Sequence, residues 1–184
     1  QPAIPARAGA LQINLDNVAG TYNPSTGVAI KGQPVQIKAT YDAVEYPLWY
    51  GLIDQPKHHP ELGNKSVDLP CLGVFSSIIS QGTGTHKIST PLYQNIRTDE
   101  AITYILNEIG WPTSLRDLDE GLTTLQWWWI EDQDPWTAMQ SLLAAEGPTA
   151  ALYEDAQGNI CFRNRHAIST LARCNTSQAV LTDL

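Results

Sequence analysis

The side chains of this 184-residue chain that could do chemistry are few: four histidines, three cysteines and two clusters of acids. The histidines are His58, His59, His86 and His166, and the cysteines are Cys71, Cys161 and Cys174. Zinc sites are usually built from His or Cys pairs separated by roughly two to five residues, so that both donors reach one ion. No such pair occurs here. Adjacent His58-His59, in a Pro-flanked stretch, read as solvated, and Cys71 and Cys161, inside apolar strands, read as core thiols. Three cysteines without framework spacing do not staple a secreted domain, which points to assembly in a reducing compartment.

The acids gather in "RDLDEG" (116–121) and "EDQD" (131–134). A glycosidase needs two carboxylates about 5–10 Å apart across one bond, a distance that sequence does not fix. Asp134 is placed to cap a helix, and Asp117 and Asp119 fall in a turn. "DLDEG" lacks the further ligand positions and terminal Glu of a calcium loop. "QGTGTH" (81–86) is Gly-rich but lacks the Lys-Ser/Thr of a phosphate-binding loop, and reads as a connector. No G-x-S-x-G elbow is present. The sequence therefore assigns no catalytic, metal or cofactor residue.

The remaining candidate is aromatic. "LQWWWIEDQDPW" (125–136) holds four tryptophans in ten positions. In a strand, side chains alternate, so Trp127 and Trp129 share one face and Trp128 takes the other. Three consecutive large aromatics predict cover on both faces, which favours packing over a ligand platform. One face can still be covered by another chain, because aromatics concentrate at interfaces. Trp128 is the first interface candidate, with Trp49, Tyr50 and Tyr93 beside it.

The elements that must hold these residues separate into two parts. In residues 1–90, "ALQINLD" (10–16) alternates with Leu11, Ile13 and Leu15 on one face, and "PVQIKATYD" (34–42) with Val35, Ile37, Ala39 and Tyr41. Asp42-Ala43 turns the chain into "VEYPLWYGLID" (44–54), where Pro47 marks an edge or a bulge. "DQPKHHPELGN" (54–64) reads as an exposed loop, "KSVDLPCL" (65–72) as a strand and "GVFSSIIS" (73–80) as a short helix or a continuation of that strand. This half predicts an antiparallel barrel-like or sandwich part. Residues 91–184 predict an α+β part. A helix over about 98–109 is capped by Thr98, carries Ile102, Ile105, Leu106 and Ile109 as its stripe, and stops at Gly110. A strand follows at about 122–130, then a helix over about 135–146 with Asp134 as cap, Pro135 first, and Trp136, Met139 and Leu143 inward. A hairpin at about 149–164 turns at Gly158, and "SQAVLTD" (177–183) reads as a last strand. The fold class is β-rich α+β.

Charge agrees with two parts. Residues 1–90 hold six Lys/Arg and six acids, while residues 91–184 hold five arginines and thirteen acids, and all lysines lie in the first half. An acidic surface without clustered Lys/Arg argues against nucleic-acid binding. Only 16% of residues are charged, a low share that fits a subunit partly covered by other protein. No apolar run approaches the roughly 20 residues of a membrane helix. "QPAIPARAGA" is neither charged nor apolar enough for a signal peptide, and without an initiator Met the chain reads as a fragment or a processed product.

The ordered segments "LYQNIRTDEAI", "ILNEIGWP", "LRDLDEGLTTLQWWW", "DPWTAMQSLLAAEG" and "LYEDAQGNICFRNRH" resemble the tail-hub (minor tail, baseplate hub-like) proteins of double-stranded DNA phages and prophages. "ALQINLDNVAGTYNP", "GQPVQIKATYD" and "YPLWYGLID" are similar to the strand-rich start of that family. The resemblance spans about residues 8–184. It implies a β-barrel-type ring domain with an added α+β piece, no cofactor, and a homo-oligomer, a trimer, at the tail tip. Such a hub joins the tail tube to the tip or fibres, surrounds the DNA channel and resides in the virion after assembly in the host cytoplasm. Its partners are other tail proteins, with neither specific nucleic acid nor membrane among them. Related proteins continue beyond a segment like "SQAVLTDL", so the chain reads as the N-terminal portion of a hub. Two other readings remain open. One is a carbohydrate-binding module of the host-adsorption apparatus using Trp49, Tyr50 and Tyr93; the other is a cell-wall hydrolase using acids of 117–134.

Overall fold

A computed structural model describes residues 9–61, 64–76 and 87–170. The Gly-rich connector 81–86, the strand expected at 177–183, His86 and Cys174 lie outside them. The described residues form two compact units, one of residues 9–76 with 154–160, the other of 87–153 with 161–170. The class is β-rich α+β, with antiparallel sheets and two main helices.

The first unit is a five-stranded sheet of β1 (Ala10–Asp16), β2 (Pro34–Tyr41), β3 (Val44–Ile53), β4 (Lys57–Glu61) and β5 (Asn64–Leu72), in the order β1-β5-β3-β2 with β4 also on β5. β5 organises it. One edge pairs with β1 from Ala10↔Leu72 to Asp16↔Ser66, and the other meets β3 at Ile53↔Cys71 and β4 at Lys57↔Asp68. This register sets Leu11, Ile13 and Leu15 opposite Cys71, Leu69 and Val67. The last three are buried with Ala29 and Ile53, and Val35 and Trp49 pack against them. Residues 57–61, expected as loop, are strand β4. A short run containing two histidines and a proline has little strand character of its own; it is ordered by the backbone edge of β5. The β2–β3 ladder shifts register between Ile37 and Lys38, opposite Pro47 and Trp49, so Pro47 does sit at a bulge.

Asp42 and Ala43 turn the β2–β3 hairpin with φ of 49° and 59°. A tight right-twisted hairpin needs φ > 0 at both central residues, which costs an alanine roughly 1 kcal/mol. At the other turn, Gly158 takes φ 89°, and a Cβ there would run into the Tyr50 ring. Gly51 likewise leaves room for the Trp49 ring and the Leu72 carbonyl. Near the start of the unit, the Glu154 carboxylate accepts the backbone N–H of Gly9 at 3.2 Å and of Phe75 at 2.8 Å. Burial pushes the Glu154 carboxyl up from its usual range, and these hydrogen bonds oppose the shift.

The second unit contains β6 (Tyr93–Arg97), α1 (Thr98–Glu108), β7 (Arg116–Leu118), β8 (Thr124–Trp128) and α2 (Pro135–Glu146). β9 (Ala151–Glu154), β10 (Ile160–Arg163) and the short α3 (Ala167–Thr170) follow, with the hairpin end 154–160 counted in the first unit. β6 pairs with β8, and β7 with the β9–β10 hairpin. α1 buries Ala101, Ile102, Ile105 and Leu106 and packs on α2. It ends as its sequence requires: Gly110 has φ 69°, its N–H reaches the Asn107 carbonyl at 3.0 Å, and the Trp111 N–H reaches that of Leu106 at 2.8 Å. α2 starts at Pro135, with the Asp134 carboxylate accepting the Thr137 N–H at 2.8 Å. Its inner stripe is Ala138, Met139, Leu142, Leu143 and Glu146, and Trp136 stands half-buried at the margin.

Thr98 does not cap α1. Arg97 holds that position, and Thr98 is the first helical residue, fully buried. Its hydroxyl donates instead to Glu146 Oε2 at 2.7 Å. Glu146 is itself inaccessible to solvent. Its carboxylate also accepts the backbone N–H groups of Leu122, at 3.0 and 3.2 Å, and Thr123, at 3.1 Å. Arg165 Nη1 holds the Glu146 carbonyl at 3.2 Å and the Thr123 hydroxyl at 2.9 Å. Burial alone would raise the Glu146 carboxyl, but the hydrogen bonds from Thr98, Leu122 and Thr123 outweigh it and hold it below its ordinary value of 4.5.

Two outcomes follow from these contacts. A carboxyl depressed in the folded state stabilises the fold fully above its unfolded value, and the contribution is lost as pH falls through the folded value. Melting temperature should therefore fall with pH below about 4.5 more steeply in the natural chain than in Glu146→Gln. That variant should be less stable at neutral pH by about 2–4 kcal/mol, because its amide group faces backbone donors. Ala43→Gly should raise stability by about 0.5–1 kcal/mol in urea unfolding, since glycine adopts the hairpin conformation without strain.

Candidate assembly surface

Most of the polar candidates are held by structural partners, whereas the buried Nδ1 of His58 has no hydrogen-bond partner among the described residues. Arg163 binds Asp117 through Nη2 and Asp119 at 3.1 Å, and this pairing lowers the Asp117 carboxyl. Arg97 reaches Asp99 at 3.1 Å and Glu120 at 3.3 Å. In the second cluster, Asp132 pairs with Lys87 at 2.7 Å on the surface, Asp134 caps α2, and Glu131 is exposed. His59 meets Asp68 at 3.0 Å, and Asn14 donates to the same carboxylate at 2.6 Å. Hydrogen bonds from Asn14 and His59 lower Asp68. Cys71 and Cys161 are buried, and burial pushes the Cys71 thiol up. Among the described residues no three His, Cys, Asp or Glu side chains converge as metal ligands.

The aromatic strand is different. Trp127 and Trp129 share a face, as alternation requires, but that face is open: they are 58% and 56% exposed. Among the described residues, the expected cover on both faces is thus absent. On β8 the same face begins at half-buried Leu125, paired with buried Ile96, and runs outward beyond its cover. Trp127 and Trp129, with Leu92 and Thr90, line a shallow depression of about 460 Å³. Leu92 is itself 55% exposed. The lining is largely apolar, and its Thr90 hydroxyl accepts the Ile130 N–H at 2.9 Å.

Trp128 faces the other way and is half-buried, its ring 6.0 Å from that of Tyr93. Tyr93 stacks in turn on Tyr104 of α1 at 4.2 Å. Trp49 and Tyr50 lie in the first unit, half-buried, one along Gly51 and the other on Gly158. The four candidates therefore fall in two places, Trp128 with Tyr93 and Trp49 beside Tyr50. Leu92 carried no signal in the sequence beyond being one leucine in a short turn-rich stretch. The period-2 pairing of Trp127 with Trp129 was the available signal for the open face.

No family model matches the chain, and no curated protein matches it. Solved structures do. The 43 kDa tail protein of prophage MuSo2 from Shewanella oneidensis aligns over 88% of this chain and 47% of its own, with TM-score 0.53 and 14% identity. An Escherichia coli component of the type VI secretion system, described as structurally similar to the T4 bacteriophage tail proteins gp27 and gp5, aligns over 85% and 42%, with TM-score 0.53 and 15% identity. A tail protein from Neisseria meningitidis MC58 aligns over 86% and 42%, with TM-score 0.52 and 13% identity. The chain thus spans less than half the length of these structures, and over most of its own length it has the fold of phage and prophage tail proteins.

Proposed function

We propose that the chain is a structural subunit of a phage tail tip or baseplate hub, acting by assembly. The observation that carries this is the fold shared with two tail proteins over 86–88% of the chain. In this reading it joins the tail tube to the tip or fibres as one of three copies around the DNA channel. The thirteen acids and five arginines of residues 91–184 suit a wall that must let DNA pass without gripping it. The open tryptophan face suits a subunit completed by neighbours.

The same face bears on the carbohydrate reading. A sugar site needs polar groups converging beside the aromatic ring. The depression is lined by Thr90, Leu92, Trp127 and Trp129, with no charged, amide or carboxylate side chain among them. Its lining favours an apolar protein surface as occupant.

Antibody labelling of purified particles should mark the end of the tail, and sedimentation of the isolated chain should give three copies. Particles without label, together with a chain that stays single and binds no tail protein, would contradict the proposal.

A further inference from the structure

In the first unit, the core-side face of β5 changes from apolar to polar at one end. Val67 and Leu69 belong to the buried core. Alternation puts Lys65 on the same face, and His58 joins it from β4, opposite Val67. Lys65 stands opposite Pro60, so His58 and Lys65 are diagonal neighbours, close enough for long side chains to meet. Asn17 is buried at the same end, its N–H donating to the Lys65 carbonyl at 2.7 Å. These three residues line a cavity of about 270 Å³, completed by residues 18–20, Asn23, His59 and Ser66. That is near the roughly 300 Å³ at which small-molecule sites begin.

We infer that this cavity binds an oxyanion, a phosphate or carboxylate group, through Lys65 and His58. No carboxylate lines it, although the chain carries 19 acids. The acids next along the ladder are engaged elsewhere: Asp16 accepts the Val18 N–H at 3.0 Å, and Asp68 holds Asn14 and His59. A cation therefore finds no charged ligand. The amide oxygens are engaged too. Asn17 Oδ1 accepts the Tyr22 N–H at 2.8 Å, and Asn23 Oδ1 accepts the Asn17 amide at 3.0 Å. A neutral sugar, whose hydroxyls need acceptors as well as donors, is poorly served. Donors are what remain. Lys31, Lys38 and Lys87 pair with acids, whereas Lys65 meets none among the described residues. The Nδ1 of His58 is buried without a partner. A buried bare lone pair is less rare than a buried bare N–H, so the ring's N–H belongs on Nε2. An ordinary solvated strand end would leave Nδ1 to water; here it is closed off. Two donors on one face, with no acid competing for them, select a group that only accepts hydrogen bonds and carries negative charge. The tail reading does not enter this inference, and neither depends on the other.

Nuclear magnetic resonance titration of the chain at constant ionic strength tests this. The probes are inorganic phosphate, glucose 6-phosphate, glucuronate and, as the neutral control, glucose. At least one of the three anions should shift the amide signals of Val18, Ala19 and Gly20 saturably, and glucose should not. Tighter binding of glucose 6-phosphate or glucuronate than of inorganic phosphate would assign the oxyanion of an organic molecule; the reverse would assign the free ion, and both outcomes support the site. Lys65→Ala and His58→Phe should each weaken binding about tenfold or more, and Lys65→Arg should restore most of it. Lys57→Ala removes the same charge from the opposite face of β4, at an exposed position, and should leave binding unchanged. Lys65 is exposed as well, so Lys65→Ala should keep the natural melting temperature and carries the test alone if His58→Phe fails to fold. Absence of saturable shifts at residues 18–20 with all three anions, or an equal response to glucose, would overturn the inference. A Lys65→Ala chain that binds like the natural one, or a Lys57→Ala chain that loses as much, would also overturn it.

Discussion

The second unit depends on one buried carboxylate. Glu146 lies in the last turn of α2, where a negative charge opposes the helix dipole, and it has no access to water. Both features disfavour ionisation. It is ionised nonetheless because Thr98, Leu122 and Thr123 all donate to it. Those three donors come from the start of α1 and the approach to β8. One side chain therefore fixes the helix pair relative to the strand that carries the tryptophans. In the first unit Glu154 has a similar part, gathering the backbone of Gly9 and Phe75. Its carboxyl is raised rather than lowered. As pH falls, its protonation favours the fold while that of Glu146 opposes it, and the two partly offset each other.

With the internal frame fixed in this way, the exposed apolar surface calls for an explanation. Isolated surface hydrophobics are ordinary in any protein. Here they are ends of faces. The β8 face leaves its cover between Leu125 and Trp127, and the β2–β3 face leaves its core beyond Val35 and Trp49. Strands that continue with apolar residues past their own core fit subunits whose cores are finished by neighbours. Asp134, Asp117, Cys71 and Cys161 are meanwhile engaged in a helix cap, an ion pair and packing.

Local structure was legible in the sequence because its causes are local. Asp134-Pro135 starts α2, Gly110 ends α1, Gly158 turns the last hairpin, and alternation gives the faces of β1 and β2. Trp127 and Trp129 fell on one face for the same reason. Their exposure was not legible, since it depends on where the cover ends and not on the strand itself. Thr98 has the chemistry of an N-cap but gives its hydroxyl to a residue 48 positions away. Strand β4 is made by the free edge of β5, which no local pattern in "KHHPE" announces. Glu146 looked like one more acid in a helix, and its partners are 23 or more residues distant.

In the proposed tail assembly the chain is a subunit whose open aromatic face is closed by its neighbours. A cryo-electron microscopy map of the assembled particle tests this most directly. The account predicts copies of the chain around the tail axis, with Trp127 and Trp129 buried against an adjacent subunit. Copies whose tryptophan faces stand in solvent, or a tail without the chain, would contradict it.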